Sequence, residues 1–246
     1  AALAAGAIGL GLGIAYTSAA DHEEVYRLFQ LGARAGAPPL VHSRGTFEAR
    51  APCEHAGRDR DLLAIPPHQD LTDVHELFAD AAATGAAVHL CHINSSSGPL
   101  NIGLILEMVD ALQARGVDVT AEAYPYTAGM TRLDSGVFTP GWEARLKIGP
   151  EDLEWLETGG TPRPRTRPRL QHAAAPLGRP RRHPATCAGE RLTAETFAAR
   201  RAEGGLALAH CCPQRVVDAC VAHPGLIIAS DAIPFDDQGR GHPRGA

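Results

Sequence analysis

Residues 72–92, TDVHELFADAAATGAAVHLCH, contain the pattern that decides the fold. Apolar residues recur at helical spacing as far as Gly85, a typical helix stop, and an apolar run then leads to His92. Four other stretches repeat this order of helix, stop, apolar β run and polar residue, with Asp21 as a predicted helix cap and Gly36 and Gly116 as predicted stops. Because apolar runs between helices are typical of strands that helices cover, the pattern predicts parallel strands joined by crossover helices.

Two α/β architectures fit such a repeat: an open doubly wound sheet and a (β/α)8 TIM barrel. The glycine-rich stretch 9–13, GLGLG, lacks the spacing of a dinucleotide-binding fingerprint and is better interpreted as a strand. With it we count about six strands of the βα type, whereas a closed barrel needs eight. We therefore predict an α/β fold, a partial TIM barrel without its N-terminal strands, formed by one domain over residues 1–246.

Two segments, residues 45–70 and 159–189, interrupt the pattern. The first is interpreted as an inserted loop on the face where the strands end. The second contains a tract rich in arginine and proline without periodicity, which predicts a disordered segment. Three interpretations of this second segment are open: a basic arm for an anionic partner, a disordered insert, or a stretch translated out of frame. The abrupt return of globular patterning after it favours the last two interpretations.

Charge and composition disfavour several classes of partner. The net charge of −5 argues against nucleic acids and membrane surfaces, since both are anionic. The 23 basic residues comprise 22 arginines and Lys147, a bias typical of a GC-rich gene. No apolar run reaches the length of a spanning helix, and the apolar opening 1–16 lacks the features of a signal peptide. The six cysteines form no CxxC pair, which predicts reduced thiols in a cytoplasmic protein.

Polar residues follow the apolar β runs at the predicted strand ends. In a parallel barrel these ends meet on one face, where the active site lies. Two imidazoles and a carboxylate on that face make a plausible zinc set, which further ligands or water would complete. The strand-end residues are His42, His92, Tyr124, His210 and Asp231.

Two neighbouring features are assigned to structure rather than to chemistry. His89 lies three residues before His92, so on a regular strand their side chains face opposite ways, and we expect His89 to lie outward or in the core. The adjacent Cys211 and Cys212 would also point apart, and we interpret them as structural cysteines.

Six short segments occur in the order found in one enzyme family. They are 6–16 GAIGLGLGIAY, 41–44 VHSR, 89–92 HLCH, 123–129 AYPYTAG, 228–231 IASD and 242–244 HPR. Together they resemble the N-acyl-D-amino-acid deacylase (D-aminoacylase) branch of the amidohydrolase superfamily. The resemblance spans the chain apart from about 43–70 and 159–189, and the combination of YPYTAG with the preceding strand-end histidine and the later SD gives it most of its specificity.

The resemblance implies a metal-dependent amidohydrolase of the TIM-barrel type that hydrolyses a non-peptide C–N bond. It implies one or two Zn2+ ions and a small-molecule substrate, an N-acyl-D-amino acid or related amide, deacylated by attack of a zinc-bound water. By motif position His42 and His92 match the imidazole zinc ligands, and Asp231 matches the aspartate that contacts the metal and shuttles the proton. Tyr124 and Arg244 match residues that hold the substrate, although Arg240 could take the place of Arg244 at the carboxylate.

Three features depart from the family pattern. The upstream HxH motif and the Cys or Glu metal ligand are absent. Asn94 stands where the family often has a lysine, so a cationic substrate contact is lost. The 50 positions from His42 to His92 exceed the usual spacing, which the inserted loop accounts for. Two alternatives therefore stay open: a cyclic-amide hydrolase of the dihydroorotase or hydantoinase kind, and a catalytically incomplete fragment of such an enzyme.

Overall fold

The computed structural model describes residues 2–17, 19–44, 69–96, 101–146, 148–156 and 190–231. The predicted inserted loop, up to residue 68, and the predicted disordered segment 159–189 lie outside these residues. Arg244 and Arg240 also lie outside them.

Nine strands and seven α-helices make up the described residues. The strands are β1 (Leu10–Gly13), β2 (Pro39–His42), β3 (Val88–Leu90), β4 (Val119–Ala123), β5 (Gly129–Arg132), β6 (Leu153–Leu156), β7 (Glu190–Arg191), β8 (Leu206–Ala209) and β9 (Ile227–Ile228). The α-helices are α1 (His22–Ala35), α2 (Gln69–Thr84), α3 (Ile93–Ser96), α4 (Ile102–Gln113), α5 (Trp142–Leu146), α6 (Ala194–Glu203) and α7 (Gln214–Ala222). Short 3-10 helices cover Leu3–Ala5, Ile14–Tyr16, Gly136–Phe138 and Pro150–Asp152.

The predicted cap of the first helix and the predicted glycine stops of the first three helical units are present. At the start of α1, Oδ1 of Asp21 accepts a hydrogen bond from the backbone N–H of Glu24 at 2.8 Å, which satisfies one of the first helical donors. Gly36, Gly85 and Gly116 follow their helices with φ of 60°, 70° and 81°. These angles lie in the left-handed region, where a β-carbon is disfavoured, so the glycine stops are confirmed.

Five strands form one parallel sheet in the order β1-β2-β3-β4-β9. One face of this sheet packs against α1, α2, α4 and α7 in the larger hydrophobic core, which encloses Phe29, Leu77 and Ile105. Because side chains alternate along a strand, the intervening residues lie on the opposite face, which we call the open face. On the open face are Leu40, His42, His89, Thr120 and Glu122.

A second sheet is antiparallel, with the strand order β5-β8-β6-β7. It has its own core, built around Phe138, Trp142 and Leu153. The predicted strand at 206–209 is present as β8, but it pairs with β5 and β6 in this second sheet. The expectation that it is a barrel strand is therefore wrong, because an apolar run between helices predicts a strand without specifying its partner.

The parallel sheet, with helices packed on one face, is consistent with a partial (β/α)8 barrel, as predicted. Within the described ranges it holds five parallel strands and ends at β1 on one side and β9 on the other, so these strands do not close a barrel. None of the helices described is both long and apolar enough to cross a membrane.

Candidate active site

Four of the predicted strand-end residues lie at one edge of the parallel sheet. His42 is the last residue of β2, and His92 comes two residues after β3. Tyr124 directly follows β4, and Asp231 comes three residues after β9. Because the strands run in parallel, all four positions lie at the carboxyl edge, where active sites of barrel enzymes are found.

The structure brings these four side chains together. The rings of His42 and His92 meet edge to face, with 4.7 Å between their centroids. Nε2 of His92 lies 3.9 Å from Oδ1 of Asp231, and the centroids of His92 and Tyr124 are 5.9 Å apart. The juxtaposition agrees with the sequence prediction, whereas the roles of ligand, proton carrier and substrate contact stay predictions.

Backbone strain is concentrated at this same edge. His92 has a φ of 32° and Asp231 a φ of 52°, and among the residues described they are the two non-glycine residues with positive φ. Such a conformation costs about 1–3 kcal/mol and persists where the surrounding structure enforces it, often at functional sites. Its occurrence at two candidate ligands on two different strand ends favours a functional role for both.

His42 is prepared to act as a neutral ligand through Nε2. Its Nδ1 lies 3.0 Å from the backbone carbonyl oxygen of Ser43. A carbonyl can only accept, so Nδ1–H donates and the lone pair of the neutral ring is on Nε2. Burial, reinforced by the neighbouring His92, lowers the pKa of His42 to about 4, so the ring is uncharged at neutral pH.

A half-buried ion pair fixes the backbone that follows His42. Nε and Nη2 of Arg44 donate to the two carboxylate oxygens of Glu76 on α2, at 2.8 and 3.0 Å. Nη1 of Arg44 also donates to the carbonyl of Ala20, and Glu76 contacts His22 at the start of α1. The end of β2 is thereby tied to both helices that flank it, which limits how far His42 can move.

Asn94 is a residue whose role sequence reasoning missed. It is completely buried on α3, and its Nδ2 donates to the carbonyl oxygen of Tyr124 at 2.9 Å. Its Oδ1 accepts from the backbone N–H of the same residue at 3.3 Å. The asparagine at this position therefore joins the ends of β3 and β4, a role for which the polar stretch 93–98, INSSSG, offers no specific signal.

Tyr16 is a second neighbour of the site that was not singled out as a site residue. Its ring packs edge to face on His42, with 5.2 Å between centroids. Its hydroxyl lies 3.3 Å from Oγ1 of Thr131 on β5. Tyr16 thus connects the His42 side of the site to the antiparallel sheet.

His210 does not join the strand-end set. It follows β8 in the antiparallel sheet, and its Nε2 lies 3.3 Å from Oε2 of Glu154 on β6. Cys212 is buried, and its Sγ donates to the carbonyl of Asn94 at 3.1 Å, in agreement with a structural role.

His89 lies on the open face beside Cys91 and Glu122, and one potential ligand atom from each of the three lies within 4.8 Å of the others. The expectation that the side chains of His89 and His92 face opposite ways is wrong, because His89 lies on the open face together with His42, whose ring His92 contacts.

The two predicted substrate contacts differ in what can be said of them. Tyr124 is only 1% exposed, so contact between its hydroxyl and a substrate would require the residues that cover it to move. Arg244 lies outside the described residues, and its role stays a prediction.

Comparison with solved structures identifies relatives of the fold. The N-acyl-D-glutamate deacylase of Bordetella bronchiseptica, complexed with zinc and a phosphonate mimic of the tetrahedral intermediate, is 21% identical; the match covers 96% of this chain and 41% of the deacylase, with a TM-score of 0.61. A D-aminoacylase studied for its binuclear metal centre matches with 21% identity over 99% of this chain and 42% of its own, also with a TM-score of 0.61. A D-aminoacylase that defines a subset of amidohydrolases gives 22% identity over the same shares and a TM-score of 0.60.

Sequence comparison finds a relative that matches a smaller part of the chain. The allantoinase of Rubrobacter xylanophilus is 31% identical over 123 residues, which are 48% of this chain and 26% of the allantoinase. No protein-family profile matches the chain. The chain thus has the fold of amidohydrolase chains over about two fifths of their length.

Proposed function

We propose that this chain is part of a metal-dependent hydrolase that cleaves a non-peptide C–N bond, with an N-acyl-D-amino acid as the preferred class of substrate. The observation that supports this most directly is the convergence of His42, His92 and Asp231 at one edge of the parallel sheet. The fold shared with the deacylase structures supports the substrate class.

The donor set fits a zinc ion. Two imidazoles and one carboxylate are ligands that catalytic zinc commonly takes from a protein, with a further position left for water or substrate. His42 already has the tautomer that directs Nε2 outward, and the 3.9 Å between His92 and Asp231 is close to the separation of two ligands on one ion. His42, His92 and Asp231 would therefore hold the metal.

The protein's own groups would supply positioning and proton transfer. When bound, a zinc ion polarises a carbonyl and acidifies a coordinated water. Asp231 is the carboxylate that we expect to accept a proton from the attacking water and to return it to the leaving amine nitrogen. Tyr124 would hold the acyl oxygen, and Arg244 would pair with the substrate carboxylate through two parallel hydrogen bonds.

Metal content tests the ligand assignment. We expect His42→Ala to lower the zinc content of the purified full chain by one ion per chain after dialysis. The matched control is His75→Ala, since His75 is an exposed histidine of α2 outside the site. Equal zinc content in His42→Ala and the control, measured by atomic emission, would contradict the assignment.

A second function is favoured by one specific observation, the 31% identity to an allantoinase. It supports the alternative of a cyclic-amide hydrolase, which would use the same metal ligands on a ring amide. The zinc-loaded chain should be assayed on N-acetyl-D-amino acids, on their L-enantiomers, and on allantoin and hydantoin. Release of free amine from the D-series supports deacylation, whereas ring opening without deacylation supports the alternative.

Catalytic completeness is a separate question, because the chain spans about two fifths of the length of the deacylase structures it matches. Zinc retained through His42 without hydrolysis of any of these substrates would support the interpretation that the chain is an incomplete fragment.

A further inference from the structure

A second group of possible ligands lies on the open face, farther from the carboxyl edge of the sheet than the strand-end set of His42, His92 and Asp231. His89 on β3 and Glu122 on β4 face each other across the parallel pair, with 3.4 Å from Nε2 of His89 to Oε2 of Glu122. Cys91, one residue beyond β3, completes the group, and one ligand atom from each residue lies within 4.8 Å of the other two. None of the three is assigned a part in the proposed hydrolysis.

The side chain of His89 is oriented by its neighbour on β4. Its Nδ1 lies 2.8 Å from Oγ1 of Thr120, the residue directly across the strand pair. With Nδ1 engaged by the hydroxyl, Nε2 is the ring nitrogen directed toward Glu122. Metal-binding histidines are typically held in this way by a hydrogen bond on the other nitrogen.

Glu122 is likewise held in place. Its carboxylate contacts His89 and also accepts a hydrogen bond from the backbone N–H of His92. The side chains of His89 and Glu122 are 17% and 22% exposed, so they are screened from bulk water yet still reachable by an ion.

The local electrostatics favour a cation. The carboxylates of Glu122 and Asp231 both interact electrostatically with Cys91. Their negative charges stabilise a positive ion bound beside it.

The spacing of the three donors is close to that of a tetrahedral ion. Bond lengths of about 2.0–2.3 Å place two ligands of one zinc ion about 3.3–3.8 Å apart. The distance of 3.4 Å between His89 and Glu122 is already in that range. No two of the three ligand atoms are more than 4.8 Å apart, so a shift of about 1 Å would bring any pair to the spacing of zinc ligands.

From this geometry we infer that His89, Cys91 and Glu122 form a second metal site, which takes one zinc-like divalent ion with a water as its fourth ligand. The mixture of nitrogen, sulfur and oxygen donors suits zinc better than magnesium or calcium, which prefer oxygen ligands alone. Cobalt(II) can replace zinc as a spectroscopic probe. On binding, the thiol proton of Cys91 leaves to solvent while the S–metal bond forms. His89 binds through the lone pair of Nε2 as the neutral tautomer, with its ring proton on Nδ1 donated to Oγ1 of Thr120. The site and the hydrolytic set share no ligand.

Cobalt(II) chloride added to the metal-free full chain tests the inference. A cysteine ligand gives a thiolate-to-cobalt charge-transfer band in the near ultraviolet, which the strand-end set cannot give because its donors are imidazole and carboxylate. We expect the wild type to develop this band as one cobalt ion binds at the Cys91 site of each chain. Cys91→Ala should not develop the band. Cys220→Ala, which removes a buried cysteine of α7 remote from the open face, is the matched control and should keep it.

Three further variants separate ligand loss from misfolding and from failure of the proposed function. Glu122→Gln retains an oxygen that can accept the His92 N–H, and we expect it to need about tenfold or more cobalt to develop the band. Thr120→Ala, which frees Nδ1 of His89, should weaken binding by about tenfold. His42→Ala should keep the band while it loses the strand-end ion. Far-UV circular dichroism verifies that each variant is folded.

Three results would overturn the inference. The first is a wild type that binds cobalt without the band, and the second is a band that persists in folded Cys91→Ala. The third is a band that disappears in His42→Ala, because the thiolate would then belong to the strand-end set.

Discussion

The buried amide of Asn94 provides the most direct test of how the site edge is held together, and we expect Asn94→Ala to lower the free energy of unfolding by about 3 kcal/mol. The regular pairing of β3 with β4 ends at Leu90 and Ala121. Beyond it, the Asn94 side chain takes over, since it binds both the carbonyl oxygen and the N–H of Tyr124. Alanine removes both bonds where water has no access, because Asn94 is 0% exposed.

The magnitude follows from the two bonds. A buried polar group that loses its partner costs about 1–3 kcal/mol. The carbonyl oxygen of Tyr124 accepts at 2.9 Å and its N–H donates at 3.3 Å, so we assign about 2 kcal/mol to the first and about 1 kcal/mol to the second.

Urea unfolding followed by far-UV circular dichroism measures this loss, provided that the slopes of the variants are equal. The matched control is Gln113→Ala. The Gln113 amide also donates to a carbonyl of β4, that of Val119 at 2.7 Å, but it is only partly buried and water can replace it. We expect the control to lose about 1 kcal/mol or less. An Asn94→Ala loss no larger than that of the control would refute the reasoning.

Two other substitutions test packing and charge. Burial and the nearby Glu76 raise the pKa of Asp80 to about 6, so the folded chain holds a proton that the unfolded chain has released, and stability falls as the pH rises from about 4 through 6. After allowance for solvent screening, Asp80→Asn should therefore gain about 1 kcal/mol near pH 8 and nothing near pH 4, and an equal gain at both values in urea unfolding would contradict this. Gly32→Ala should lose about 1–3 kcal/mol, because its β-carbon would lie 2.7 Å from the carbonyl oxygen of Ala37. Gly103→Ala, with no atom within 4 Å of its β-carbon, should gain about 0.5–1 kcal/mol, and thermal unfolding that gives the reverse order would count against both.

The helices and strands around the site could be predicted because their signals are local. The Asp21 cap and the glycine stops at 36, 85 and 116 are features of a few consecutive residues, and each is present in the structure. Parallel strands then place the residues that follow them at one edge whatever the details of packing, so His42, His92, Tyr124 and Asp231 could be expected to meet.

Strand pairing could not be predicted in the same way, because it depends on residues far apart in the chain. The run Leu206–Ala209 has the composition of a barrel strand, yet its partners are Gly129–Arg132 and Leu153–Leu156. These partner segments, GMTR and LEWL, lie outside the repeated order of helix, stop and apolar β run that predicts the parallel strands. Nothing within 206–209 itself distinguishes the two sheets, and His210 was placed with the wrong one as a consequence.

The backbone at His92 explains why the sequence did not predict the group formed by His89, Cys91 and Glu122. Strict alternation along a strand turns residues 89 and 92 to opposite faces, and the sequence prediction for His89 depended on that rule. However, β3 ends at Leu90, and the positive φ of His92 breaks the alternation just beyond it. His92 can then approach Asp231 while its own N–H is held by Glu122, the carboxylate that also faces His89. The strained backbone at His92 thus allows β3 and the two residues after it to place both His89 and His92 on the same face of the sheet. Since strain of this kind depends on the surrounding fold, a sequence pattern could give the residues but not this arrangement.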